Sequence, residues 1–512
     1  MRTLNPRRVT AVSDSPAPAP DPLRCAALAA DLDAAEFRSE PLRRLWGEEA
    51  DDALGRGMRE PILRAVAGDE GVLATLGRLF VLGMPQPTGL VAAALPRLGV
   101  SGLVALGLAA VDHATVAPTA LIRPQSFVDA DGVGEWWIAS DLDEVALGTA
   151  LPPDHVLGVG GASRTLAEII LPIEVDRALD LGTGCGIQAL LVARYARSVV
   201  ATDISARALA YAELNARLNG VSNIAFRRGS MFEPVAGEAF DLVVSNPPFV
   251  ITPRTEHVPE YDYRDGGLVG DALVEQFIRT VPSHLTPGGV AQLLGNWESR
   301  DGVPGLERLS TWVEEDLDLW VIEREELTPL SYAELWIRDG GTTPRDAEFT
   351  PLLSAWLDDF ERRAVSSVGF GYVLLRRPEA GSDPLRRIEK IAQPVSGVGA
   401  ALRDGLAAHD MMAPGLPRTL ITAPDVTEAR HLLPGADDPS VIELRQGGGF
   451  ARTRSVDPAL AGFVGACDGE LTVMQIAAAL ADLFEVPFAE LWADLEPRIR
   501  SLVFDGFLTA AD

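Results

Sequence analysis

The chain has 512 residues, 47% hydrophobic and 23% charged, ordinary values for a soluble globular protein and enough length for about two to four domains. Its 44 basic side chains stand against 73 acidic ones, a net charge of −29 that repels polyanions and gives up the counterion release behind loose nucleic-acid binding. Cys25, Cys185 and Cys467 are too few and too scattered for a disulfide framework or a zinc knuckle, and no window nears the roughly 20 apolar residues of a membrane helix, so a soluble, cytoplasmic protein is expected. One lysine, Lys390, stands among the 44 basic residues, a skew that base composition explains.

In chain order, residues 1–20 carry Arg2, Arg7, Arg8 and a Pro-Ala repeat without the apolar stretch of a secretory signal, and read as a disordered tail. Residues 21–115 show apolar spacings of three and four at Leu23–Leu32 and Gly71–Leu82. They predict a helical domain, resembling either a winged-helix module or a plain helical bundle used as a lid or platform. Residues 116–150 predict a β-hairpin, with Ala120–Phe127 and Gly134–Asp141 flanking the turn signal Asp129-Ala-Asp-Gly-Val.

From 151 to 378 strand-like and helix-like segments alternate, the mark of a doubly wound α/β sheet. Seven strands are predicted at Arg177–Leu181, Ser198–Thr202, Ile224–Arg228, Phe240–Ser245, Gly289–Gly295, Asp318–Glu323 and Phe370–Arg376, with helices between them including Ser205–Leu218 and Gly270–Val281. Residues 385–512 predict a C-terminal domain that closes like a small helix-turn-helix fold with a wing. Its recognition helix would hold almost no basic residue, which favours protein contact over DNA contact.

Two motifs carry chemistry. Asp180-Leu-Gly-Thr-Gly-Cys-Gly186 is a strand running into a glycine turn and a helix. Gly182, Gly184 and Gly186 allow a ligand to approach without a Cβ, and the helix offers free N–H groups. Its G-x-G-x-G spacing departs from the dinucleotide pattern G-x-G-x-x-G. Asp203, ending the next strand, can take both hydroxyls of a ribose, or cap the helix that starts at Ser205. About 60 residues downstream, Asn246-Pro-Pro-Phe249 ends the fourth strand. The Asn246 side-chain carbonyl and the Pro247 carbonyl are two acceptors that prolines 247 and 248 hold rigid, and Phe249 offers a flat face. Such a clamp suits a planar –NH2 whose delocalised lone pair needs orienting toward an electrophilic methyl.

Residues 155 to 300 resemble the class I S-adenosylmethionine-dependent methyltransferases of the release-factor glutamine methyltransferase (HemK-type) group. The resemblance lies in Leu179-Asp-Leu-Gly-Thr-Gly-Cys-Gly, Ala201-Thr-Asp, Asp241-Leu-Val-Val-Ser-Asn-Pro-Pro-Phe, Tyr263-Arg-Asp-Gly-Gly and the upstream Val156-Leu-Gly-Val-Gly-Gly-Ala-Ser-Arg-Thr-Leu, which lacks the prolines usual around the arginine. It implies a seven-stranded Rossmann-like core with S-adenosyl-L-methionine as cofactor and no metal. Asp180, Gly182, Thr183, Gly184, Gly186, Asp203, Ile204, Ser230, Met231 and Asn246 would hold the cofactor, with Asp180 near the methionine ammonium and Ser230-Met231 at the adenine. Ser230 stands where many relatives carry an acidic residue. Asn246, Pro247 and Phe249 would be catalytic. Arg164, Pro248, Phe249 and Arg264 would meet the substrate, Arg264 and Asp265 from a closing segment. His257 and His284 have no partner pattern and receive no role.

The expected reaction is methylation of a planar –NH2, first of a glutamine side-chain amide in a protein such as a translation release factor. The exocyclic amine of adenine or guanine in RNA or DNA stands close behind, because Phe249 replaces the tyrosine common in the glutamine enzymes. A small-molecule amine and a non-catalytic cofactor sensor are the remaining readings.

Overall fold

Apolar runs broken by glycine and proline turns between 175 and 390 build one central sheet. The computed structural model describes residues 16–129, 132–148, 151–255, 258, 264–379, 383–391 and 397–511. In chain order the sheet comprises β1 (Val175–Leu181), β2 (Ala196–Asp203), β3 (Ile224–Arg228), β4 (Phe240–Ser245), β5 (Leu285–Arg300), β6 (Asp318–Leu327), β7 (Val365–Arg376) and β8 (Arg386–Lys390). Their spatial order is 3-2-1-4-5-7-6-8. Strands β1 to β5 run parallel, whereas β7 lies antiparallel between β5 and β6.

All seven predicted strands are present, and an eighth corrects the expectation. Residues 386–390 pair in parallel with β6, so a segment assigned to the C-terminal domain completes the central sheet. Its Arg-Arg-Ile-Glu-Lys sequence masks the strand. The polar side chains are satisfied laterally: Trp320 Nε1 donates to Glu389 Oε1 at 2.7 Å, and Lys390 Nζ meets Glu323 at 2.7 Å and Glu326 at 2.9 Å.

Helix α1 (Gly161–Ile169) precedes β1, α2 (Ile187–Val192) follows it, and α3 (Ala206–Leu218) follows β2. Two more, α4 (Pro329–Asp339) and α5 (Phe349–Arg362), form an insertion between β6 and β7. They share a small core with Val250, Ile251 and Val258, just past the Asn-Pro-Pro-Phe segment.

The N-terminal region begins with helix Pro22–Ala34. Helix Val72–Leu76 continues into a π-helical turn at Gly77–Val81. A short strand (Gln86–Pro87), helices Thr88–Ala94 and Gly99–Ala105, and the paired strands Ala109–Asp112 and Thr115–Pro118 follow. Residues 1–15 of the expected tail lie outside the described residues. Residues 16–20 do not behave as a tail: the Ala19 N–H donates to Leu106 O at 2.9 Å and Pro18 is buried. Ala120–Asp129 and Gly132–Asp141 pair antiparallel, while residues 130–131 of their turn lie outside the description. No single helix among the described residues is long and apolar enough to cross a membrane.

The hairpin is fastened to α3 by side-chain amides acting as a strand edge. Asn215 accepts from Ala139 N at 2.8 Å, donates to Ala139 O at 2.9 Å, and donates again to Cys185 O at 2.8 Å. One turn on, Asn219 makes the same exchange with Trp137. Around them Cys25, Leu28, Phe37 and Trp137 merge with Ile187, Leu190, Tyr211 and Leu214 in one apolar cluster. The C-terminal region packs against the opposite end of the sheet. The buried Asp505 carboxylate receives Arg387, Arg452 and Arg454 there, tying helix Phe488–Phe504 to β8.

Replacing Asn215 with alanine strands three buried backbone groups, so Asn215→Ala is expected to lower unfolding free energy by about 2–4 kcal/mol in urea titration. A loss under about 0.5 kcal/mol would mean these backbone groups find other partners.

Candidate active site

The glycine turn is shaped by backbone constraints. The Gly182 and Thr183 amides both donate to Thr202 O at 2.9 Å, and the Gly186 amide donates to Thr183 O at 2.8 Å. Gly182, Gly184 and Gly186 hold φ of 76°, 54° and 88°, a region that a Cβ makes costly. At Gly186 a Cβ would also lie 2.9 Å from the Ala212 Cβ, whereas at Gly182 and Gly184 it would meet nothing. The turn therefore leans on α3 at one end and faces open space at the other.

Two carboxylates flank it. Asp180 is fully buried; its Oδ2 accepts from the Thr183 hydroxyl at 2.6 Å, and its Oδ1 is a buried acceptor without a partner. Burial pushes its carboxyl up to about 7, against the Thr183 hydrogen bond, which lowers it. Asp203 accepts from the Gly184 amide at 3.0 Å and the Ser205 amide at 2.8 Å, so it braces the turn from the end of β2. The capping role weighed for Asp203 belongs to Ser205, whose Oγ accepts from Ala208 N at 3.2 Å. Ile204, next in chain, is 63% exposed although apolar, which leaves a bare hydrophobic surface beside the carboxylate. Ser230 and Met231 follow β3, Met231 in left-handed backbone at φ 48°.

Strand β4 delivers the second half. The Ser245 hydroxyl donates to Leu181 O at 2.8 Å and ties the end of β4 to the end of β1. Next to it Asn246 Oδ1 is buried without a hydrogen-bond partner. Pro247 is buried; Pro248 and Phe249 are half-buried. The segment is held along its backbone. Phe249 O accepts from Asn296 Nδ2 at 3.4 Å, the Val250 amide donates to Arg264 O at 2.9 Å, and the Ile251 amide donates to the Tyr332 hydroxyl at 3.0 Å. The Phe249 ring packs on Phe370 at 5.4 Å and meets Trp336 edge-on at 6.5 Å between centroids.

The two expected arginines behave differently from the rest. Arg264, expected to contact substrate, instead commits its guanidinium to α4, donating to Trp336 O at 3.2 Å and pairing with Asp339 at 3.4 Å. Its companion Asp265 takes Arg254 in a two-point ion pair. These two residues fasten the segment after Phe249, and residues 256–257 and 259–263 of that segment, His257 among them, lie outside the described residues. Arg164 is exposed on α1. His284 is a packing residue, stacked on Phe232 at 4.6 Å. Among the described residues no cluster of side chains has the makings of a metal site.

Three supporting residues were missed by sequence reasoning. Asn215 and Asn296 are polar breaks in apolar patterns, a readable signal. Tyr332, which props the Ile251 amide, comes from the insertion 81 residues later and leaves no local signal.

Residues 158–301 match the family described as "Methyltransferase small domain", and residues 34–119 match a family described only as a domain of unknown function. A release factor glutamine methyltransferase of Xylella fastidiosa is 40% identical over 132 residues, 24% of this chain and 47% of that protein. A protein described as "Putative protein N5-glutamine methyltransferase" from Methanocaldococcus jannaschii is 34% identical over 135 residues, 26% of this chain and 68% of its own length. A ribosomal protein uL3 glutamine methyltransferase of Bradyrhizobium diazoefficiens is 35% identical over 140 residues, 25% of this chain and 44% of that protein. The chain thus spans about half the length of the release-factor relative. Among solved structures, the YcgJ protein of Bacillus subtilis superposes over 43% of this chain and 98% of its own at 17% identity, with a TM-score of 0.28.

The raised Asp180 carboxyl sets a stability test. Its folded value lies above the ordinary 3.8, so its share of stability is full below that pH and is lost as pH rises through about 7. Asp180→Asn is expected to stabilise the unliganded protein at pH 8 by up to about 4 kcal/mol and to change little at pH 4, read as melting temperature across pH.

Proposed function

The chain belongs to the protein N5-glutamine methyltransferase family, of the HemK-type class I methyltransferases, and on that premise we propose that it methylates the side-chain amide of a glutamine in a protein of the translation apparatus. The observation that carries this reading is Asn246 Oδ1, a buried acceptor without a partner, at a strand end stitched to the glycine turn.

The cofactor fits the residues present. The unmet Asp180 Oδ1 suits an ammonium, the turn at Gly182 and Gly184 leaves room where a Cβ would stand, and Asp203, braced against the turn at the end of β2, offers a carboxylate to a ribose diol. Thr183 fixes the Asp180 rotamer, and Ile204 with Met231 offers an apolar border for a purine. S-adenosylmethionine, when bound there, supplies a methyl group on a positively charged sulfur.

The chain's own part is orientation. Asn246 Oδ1 and the Pro247 carbonyl accept the two N–H bonds of the amide and turn its lone pair toward the donor. Proline fixes φ at 247 and 248, so this geometry exists before binding. Phe249, backed by Phe370, forms one wall for the planar group. No strong base is needed, because the nitrogen loses its proton readily after the methyl has moved. The helix, strand, helix, helix and hairpin succession over residues 72–118 supports a winged-helix reading, with a docking role for the acceptor protein. The strands and helices of 419–510 support the helix-turn-helix reading of the C-terminal region. A cytoplasmic setting follows from the proposed substrate.

Three outcomes are expected. Asn246→Ala retains S-adenosylhomocysteine affinity within about twofold yet lowers turnover by about 100-fold or more; full turnover would remove the two-acceptor clamp. Cofactor affinity in calorimetry drops about tenfold per unit below pH 7, as Asp180 must ionise to meet an ammonium, and Asp180→Asn flattens that profile. In a cell extract given labelled cofactor, label survives nuclease and disappears with protease; the reverse pattern assigns the acceptor to nucleic acid.

A further inference from the structure

Strand β6 carries one residue too many for its partner. Glu323 faces Gly371 and Glu325 faces Phe370, so Arg324 is the extra residue of a β-bulge. At Gly371, opposite the bulge, a Cβ would lie 2.0 Å from Ile322 O, so glycine is required there. Alternation from Trp320 and Ile322 puts Arg324 on the sheet face that carries Tyr372, and the bulge keeps Glu325, opposite Phe370, on that face as well. Arg324 Nη1 donates to the Tyr372 hydroxyl at 2.7 Å, while its Nε is buried without a partner.

That guanidinium is exceptional here. Arg207, Arg308, Arg363, Arg376, Arg387 and Arg452, with side chains 8–20% exposed, each meet a carboxylate, whereas Arg324 is half-buried. Among the described residues no carboxylate pairs with Arg324. Arg387 and Arg452 also leave Nε without a hydrogen-bond partner, so the missing carboxylate is what sets Arg324 apart, and a half-buried cation without one is costly unless a ligand supplies the acceptor. The place is informative. Phe370, directly across the bulge, packs on Phe249 at 5.4 Å between ring centroids. Phe249, Phe370 and Tyr372 share one apolar cluster with Leu166 and Ile169 of α1. Arg324 thus belongs to the face that begins at the Asn-Pro-Pro-Phe wall.

We infer that Arg324 is an acceptor-binding residue whose guanidinium, held by Tyr372 through Nη1, donates from its terminal N–H groups to a main-chain carbonyl of the protein substrate beside the methylated side chain. The inference rests on the protein-glutamine reading above. A guanidinium presents several donors in a rigid fork, and Tyr372 fixes its plane. A neutral carbonyl suits the site better than a phosphate, because the chain's net charge of −29 repels polyanions.

The test uses the full chain with a purified bacterial translation release factor as acceptor. Arg324→Met is expected to raise the acceptor KM about tenfold or more, with kcat and S-adenosylhomocysteine affinity held within about twofold. Arg324→Lys restores only part of the loss, because an ammonium lacks the fork, and Tyr372→Phe raises KM about threefold. An unchanged KM in Arg324→Met, with wild-type enzyme active on the release factor, overturns this inference alone. A wild-type enzyme that labels nucleic acid and no protein overturns both readings.

Discussion

The buried amide of Asn215, seconded by Asn219 one turn on, joins two parts of the molecule that are remote in sequence. Its oxygen and one N–H complete the backbone pairing of Ala139 in the hairpin, and its other N–H reaches Cys185 O inside the glycine turn. Three backbone groups that water cannot reach depend on this side chain. Close by, Gly186 touches Ala212 on the same helix, so α3 sets both the shape of the turn and the seat of the N-terminal region. A shift of α3 changes both at once.

The two halves of the site have different origins. The turn, Asp180, Asp203 and the residues after β3 come from one compact run of about 50 residues, where each strand ends at the sheet's carboxyl edge. The opposing wall draws on β5, the β6–β7 insertion and β7 itself. Asn296 steadies Phe249 O, Tyr332 steadies the Ile251 amide, and Phe370 with Trp336 supports the Phe249 ring. A rigid seat on one side thus faces a wall assembled from several distant pieces.

This division explains what was legible in the primary structure. The seven strands of the core and the turn from 180 to 186 announce themselves through local pattern: apolar runs, glycine spacing, an acidic residue ending the next strand. The strand 386–390 stayed hidden because its side chains are mostly charged and are satisfied only by tertiary partners, such as Arg452 pairing with Glu389 and Trp320 donating to it. Arg264 was read as a substrate contact from its neighbours in sequence, but the helix that claims it lies about 70 residues away. Tyr332 and the bulge at Arg324 depend on pairing register, which no single segment encodes.

Lys390 sits on the outer strand with 61% of its side chain exposed, gripped by Glu323 and Glu326. Those two carboxylates hold its ammonium above the usual lysine range. It is also the sole side-chain amine in the sequence. Acylating reagents therefore have one side-chain amine to attack, and a sluggish one beside the α-amino group, since only the deprotonated amine reacts. Molecules tethered through Lys390 alone would all present the same orientation.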